Sequence, residues 1–164
     1  MIFNFEHGSL PGSLELAYLG DSLYDLYVRE HLIAHGGKVR ALHREAISLV
    51  CAHAQSEALA RVADALTDEE ADVVRRARNA KQSPPKNADP GEYHRATALE
   101  ALVGWLYVTG RQDRMNEILK LALPFPKPSP MGKVDSPQGE DGGGRIAISL
   151  CPAYPTSSVS IKGC

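Results

Sequence analysis

LAYLGDSLYDLYVR, residues 16–29, has helical spacing and a carboxylate in its middle. Leu16, Leu19, Leu23, Leu26 and Tyr27 recur at the intervals that place them along one side of a helix. Asp21 follows Gly20 and is flanked by Leu19, Leu23 and Leu26, so it is expected to be buried. A buried carboxylate left unpaired is costly, and a cation, a metal or a hydrogen-bond network normally accompanies it. The rest of the chain has to provide that partner.

Residues 94–108, HRATALEALVGWLYV, form a second apolar helical stretch with one acid inside it, Glu100. Its same-face neighbours, Ala96, Thr97, Val103 and Gly104, are small, as are Ala17, Gly20 and Ser22 around Asp21. Small residues let two helices approach closely, and packing through these faces brings the two carboxylates together. Like charges at that range share a proton or bind a cation. A hard divalent ion, Mg²⁺ first, takes one or two carboxylates and keeps waters for a substrate. The alternative, in which each acid pairs with an arginine or caps a helix, stays open on pattern alone.

Outward from these two helices the chain reads as helical throughout its first three quarters. One helix spans 13 to about 35 and ends at Gly36-Gly37. A second helical region covers about 39–65, with a break near 48–52. Thr67-Asp68-Glu69-Glu70 has the pattern of a capping box and starts a helix to about 79. Residues 80–90, with Pro84-Pro85 and Asp89-Pro90, form a loop, and Asp89 and Pro90 suit the N-cap and first turn of the next helix. That helix closes at Gly110, and a last one covers about 112–122. The fold class is therefore all-α, a helical bundle.

From Pro124 the character changes: seven of the eleven prolines and six of the fourteen glycines lie there. Residues 1–123 are expected to be the folded domain and 124–164 a disordered tail. A weak alternation over 145–150 suggests at most a short strand there.

Bulk properties bound the function. The 164 residues suffice for one domain, and 43% hydrophobic with 23% charged residues is an ordinary globular balance. The apolar runs are too interrupted for a transmembrane span, and the N-terminus has no signal-peptide pattern, so a cytoplasmic protein is expected. Cys51, Cys151 and Cys164 form neither a disulfide framework nor a zinc pattern, and Cys51 reads as a core residue. The net charge of −2 gives no global argument for nucleic acid.

A local argument exists. RRARNAKQSPPK, residues 75–86, carries Arg75, Arg76, Arg78, Lys81 and Lys86 and no acid. A cationic helix end running into a proline-stiffened loop suits phosphate oxygens, although such a run is also an ordinary solvated surface. His31 and His35, four apart, lack the context of a metal pair. Tyr24, Tyr27, Tyr93 and Trp105 read as core or subunit contact.

These motifs together resemble a known family. LAYLGDSLYDLYVR looks like the sequence hallmark of the ribonuclease III catalytic domain. With RARNAK, PPKN, LHREAISLVCAHAQSEAL and YHRATALEALVGWLY, the chain resembles the Mini-ribonuclease III branch over most of 14–121. The resemblance implies an all-α Mg²⁺-dependent endoribonuclease that acts on double-stranded RNA as a homodimer and leaves 5′-phosphate and 3′-hydroxyl ends. Asp21 and Glu100 match the essential metal-binding acids, and Arg75, Arg76, Arg78, Asn79, Lys81 and Lys86 are the expected RNA contacts. The implied substrate is precursor ribosomal RNA of the large subunit (23S), with a large-subunit ribosomal protein as a candidate partner. The fuller ribonuclease III pattern has further acids where this chain has Leu14, Ala17 and Thr97, and its separate double-stranded-RNA-binding domain has no counterpart after residue 123. Asp25 is either a helper behind Asp21 or a plain surface aspartate. The competing readings are a non-catalytic ribonuclease III-like RNA-binding module on ribosomal particles, and a helical interaction protein with no RNA role.

Overall fold

The computed structural model describes residues 9–123 and Phe125, and the rest of the expected tail, with the 145–150 strand, lies outside them. The described chain is all helix: α1 (Ser13–His35), α2 (Val39–Val50), α3 (Ala52–Val62), a 3₁₀ turn (Ala63–Ala65), α4 (Asp68–Arg78), α5 (Pro90–Val108) and α6 (Gln112–Ala122). The break expected near 48–52 falls at Cys51, whose extended backbone separates α2 from α3.

Local chemistry sets the helix ends. Gly36 and Gly110 close α1 and α5 at positive φ, 78° and 77°, a conformation that a Cβ disfavours. Thr67 and Glu70 form the expected capping box on α4. The Asp89 carboxylate accepts from the Glu92 amide at 2.7 Å, with Pro90 in the first turn of α5.

α5 is apolar nearly all round and is buried from Ala96 to Leu106 save for part of Glu100. A helix with no polar face belongs inside a domain, and α1, α3, α4 and α6 all pack against it. Fully buried Leu99, Leu102, Leu106 and Val103 each contribute on the order of 1.5–3 kcal/mol of burial. The α1–α5 seam is the closest. A Cβ built on Gly20 would lie 2.6 Å from the Glu100 carbonyl carbon and 2.9 Å from the Gly104 nitrogen. One built on Gly104 would lie 2.9 Å from the Leu16 carbonyl carbon. Two glycines facing each other's backbone thus draw the helices together at the level of Asp21 and Glu100.

α4 is fastened from the far side. Glu70, 2% exposed, receives Arg114 Nε at 2.8 Å and Nη2 at 2.9 Å. Arg111 reaches Glu69 at 2.8 Å and lies over the Trp105 ring, 4.3 Å from its centre. These ties fix the helix whose last turn carries the basic run.

Two expectations for α1 need correction. Leu26, expected on the apolar side, is 53% exposed, with Ile33 two turns on at 67%, and Leu19 and Leu23 are half-buried. The core instead takes Leu16, Ala17, Gly20, Tyr24, Tyr27, Val28 and Leu32. The helix is apolar on more of its circumference than the described chain covers. Tyr24, Tyr27 and Trp105 are buried as expected, whereas Tyr93 is half-buried and stands at the cleft described next.

Candidate active site

A cleft of about 180 Å³ opens between α1, the start of α3 and the first half of α5, lined by Ala17, Tyr18, Asp21, Ala52, Tyr93, Ala96, Thr97 and Glu100. The two acids singled out in the sequence therefore share one hollow. Ala17, Ala52 and Ala96 give it room. No arginine or lysine lines it.

The two carboxylates differ in environment. Glu100 lies deep, and its pKa is pushed up to about 8, first by burial and then by the negative charge of Asp21. The Gln55 side chain pulls in the opposite direction. Asp21 corrects the expectation of a buried acid: it is exposed at the cleft mouth. Partial withdrawal from water still raises its pKa, with Asp25 adding a smaller push. The reason is geometric: Gly20 is the residue at the α1–α5 seam, and the next position along the helix already turns toward solvent.

Asp25, one turn on, accepts from Arg29 Nε at 2.7 Å. His31 and His35 turn Nδ1 to backbone carbonyls, at 2.9 Å and 2.6 Å, and His31 stacks on Phe125. Both histidines thus have local structural roles.

Thr97 stands where the fuller ribonuclease III pattern has an acid. Its hydroxyl is engaged with the Tyr93 carbonyl at 3.1 Å and Gln82 Oε1 at 3.2 Å. Gln82 Nε2 meets His94 Nδ1 at 3.1 Å. The 80–88 loop is therefore pinned to α5 one turn before Glu100. On the other flank, Arg95 Nε donates to Ser56 at 2.7 Å and His53 pairs with Glu92 at 2.7 Å, joining α3 to α5.

The basic run is less uniformly free than its sequence suggests. Asp72, just upstream, takes both Arg75 and Arg76, the latter at 3.2 Å. Arg78, Asn79, Lys81 and Lys86 are exposed. The sequence reading missed Gln55, Gln82 and Arg95. Gln55 had a signal: it falls on the Gln55, Leu59, Val62 stripe of α3, a polar residue at a core position.

Among the described residues no group of three or more His, Cys, Asp or Glu converges, so any metal here rests on two acids. That donor set fits a hard divalent ion. Two carboxylates, one pushed toward its protonated form by burial and then by the other's charge, gain most from a cation between them, and Mg²⁺ completes its shell with water and substrate oxygens.

A helical bundle with paired acids at a glycine-locked seam is the layout expected of an endonuclease domain, and the model of the Ribonuclease III domain family matches residues 14–111. Mini-ribonuclease 3 of Symbiobacterium thermophilum is 51% identical over 114 residues, covering 68% of this chain and 88% of the relative. That of Brevibacillus brevis is 47% identical over 117 residues, covering 70% and 87%. A crystal structure of a Fusobacterium nucleatum protein superposes with a TM-score of 0.62 at 30% identity, covering 67% of this chain and 89% of that one. This chain belongs to the ribonuclease III family, in its Mini-ribonuclease 3 branch, and is an endoribonuclease.

Proposed function

We propose that the chain cuts double-stranded RNA with Mg²⁺ held by Asp21 and Glu100, working as a homodimer. The observation that carries this is the convergence of two acids, from α1 and α5, on one open cleft with no lining cation. When bound, the ion supplies Lewis acidity at the scissile phosphate and a nucleophilic water near neutral pH. Hydrolysis joins a water oxygen to phosphorus and breaks the bond to the 3′-oxygen, leaving a 5′-phosphate and a 3′-hydroxyl.

The chain's own groups set the stage. Glu100, buried and held at a rigid seam, would hold the ion through its carboxylate. Asp21 at the mouth stands where substrate enters. Arg78, Asn79, Lys81 and Lys86 lie on phosphates flanking the cut, on a loop that Gln82 ties to Thr97. Arg75 and Arg76 join them after exchanging Asp72 for phosphate. A-form RNA offers phosphates and 2′-hydroxyls, so recognition reads shape.

Leu19, Leu23, Leu26 and Ile33 follow one another along a flank of α1 that the described chain leaves partly uncovered, and Tyr18, 84% exposed, borders the cleft. A second copy is the natural cover, and two-fold symmetry then gives one cut per strand. Membership of the Mini-ribonuclease 3 branch directs the proposal to precursor 23S ribosomal RNA, with a large-subunit ribosomal protein on that RNA as a candidate partner. Among the described residues no helix is long and apolar enough to cross a membrane.

The test is cleavage of a labelled duplex carrying the precursor stem, with and without Mg²⁺. Asp21→Asn and Glu100→Gln should each abolish cutting while leaving the oligomer intact. Cutting that persists in either variant rejects the assignment.

A further inference from the structure

Gln55 is a buried polar residue behind the cleft wall whose amide is not fully bonded. It sits in the first turn and a half of α3, whose start, Ala52, lines the cleft wall. Its side chain is 1% exposed and lies beside Glu100. Its amide side chain is close enough to Glu100 to lower that acid's pKa, yet Nε2 makes no well-formed hydrogen bond among the described residues. Burying such a donor without an acceptor costs about 1–3 kcal/mol, and cores seldom tolerate it without a reason. A leucine or methionine in the same stripe with Leu59 and Val62 packs as well and avoids that cost.

The neighbouring acid explains the choice. A carboxylate is a strong acceptor for a buried N–H donor. A metal ligand's remaining oxygen is usually held by such a donor, which fixes the carboxylate's orientation. The Tyr24 hydroxyl is also buried without a hydrogen-bond partner among the described residues, and it feels the Glu100 charge.

We propose that Gln55 is a positioning residue: its amide holds one oxygen of the Glu100 carboxylate, so that the other faces the cleft for a divalent cation. This rests on the reading of Glu100 as a cation ligand. Gln55 touches neither the ion nor the RNA. It acts by fixing the orientation of the Glu100 carboxylate.

The test uses the full chain and the variant Gln55→Met, close in volume and without a donor. Mg²⁺ binding is followed by calorimetry and cleavage by Mg²⁺ titration. The variant should bind Mg²⁺ about 10–100-fold more weakly. Its cleavage should recover most of the wild-type rate once Mg²⁺ is raised by that factor, and its thermal midpoint should be unchanged or higher. An unmoved Mg²⁺ midpoint in the folded variant overturns the proposal. Should Gln55→Met fail to fold, the wild-type protein decides: saturating Mg²⁺ should move the Gln55 side-chain amide resonances in ¹⁵N-labelled protein, and static resonances overturn it. Glu100→Gln separates the two layers. If that variant binds Mg²⁺ like wild type, the site reading and this inference fall together. If it loses binding while Gln55→Met keeps it, only the role of Gln55 falls.

Discussion

Glu100→Gln should abolish cleavage and, without divalent metal, stabilise the protein. The folded chain holds the Glu100 proton far more tightly than the unfolded chain, with the pKa pushed from 4.5 up to about 8. The folded state therefore binds more protons between these values, and stability falls as pH rises through that window. At about 1.36 kcal/mol per pH unit, the wild-type protein forfeits about 3 kcal/mol between pH 4.5 and pH 7. This is an upper figure, because water reaches the mouth of the cleft. Glutamine fills the same space without a proton to lose. The assay is urea unfolding of both proteins in EDTA, at one protein concentration, across pH 4.5 to 8. Other groups, such as the raised His53, titrate in both proteins and cancel in the difference. The variant should gain on wild type steadily as pH rises, and saturating Mg²⁺ should narrow the gap by stabilising only the wild type. A difference flat to within about 0.5 kcal/mol would refute the reasoning, since a surface carboxylate contributes no more than that.

Further predictions test other parts of the account. Gly20→Ala should cost about 1–3 kcal/mol or more and depress cleavage, because its methyl group meets the Glu100 backbone and drives α1 from α5; thermal melts and cleavage rates read both. Replacing Arg78, Lys81 and Lys86 with glutamine should weaken duplex RNA binding and flatten its salt dependence by roughly one unit of slope per lost phosphate contact, whereas Arg75→Gln, with its cation already shared with Asp72, should change it less. Arg114→Met should destabilise by about 3–5 kcal/mol in urea at pH 7, since it strands the buried Glu70 carboxylate. Arg114 bonding holds the Glu70 pKa down, so that stabilisation is present above the usual carboxylate range and is lost as pH falls. Leu26→Glu with Ile33→Glu should shift sedimentation from dimer to monomer, and an unchanged dimer rejects that flank as the subunit contact.

The bundle was legible because its signals are local. Gly36 and Gly110, the Thr67–Glu70 box and the Asp89–Pro90 pair each act within one turn of chain, and the helices begin and end beside them. The pairing of Asp21 with Glu100 was legible because small residues stand beside both acids, and Gly20 and Gly104 meet the opposing backbones at that level. Which acid is buried was not legible. It depends on which α1 residue meets α5, Gly20 at the seam or Asp21 about 100° further round the helix, and leucines at Leu19, Leu23 and Leu26 look alike whether a core or a second copy covers them. Asp72 lies outside the RRARNAKQSPPK run, so its hold on Arg75 and Arg76 shows only once the helix is wound. Gln82 meets α5 from a distant part of the chain, and spacing within a single helix carries no trace of that contact, whereas Gln55 shows only as a polar residue on the buried stripe of α3.

The most direct measurement is the anomalous scattering of Mn²⁺ soaked into crystals of the protein as a substitute for Mg²⁺. The account predicts one strong peak between α1 and α5, about 2.1–2.2 Å from carboxylate oxygens of both Asp21 and Glu100. No peak at the cleft at saturating Mn²⁺, or a peak that survives in Glu100→Gln crystals, contradicts it.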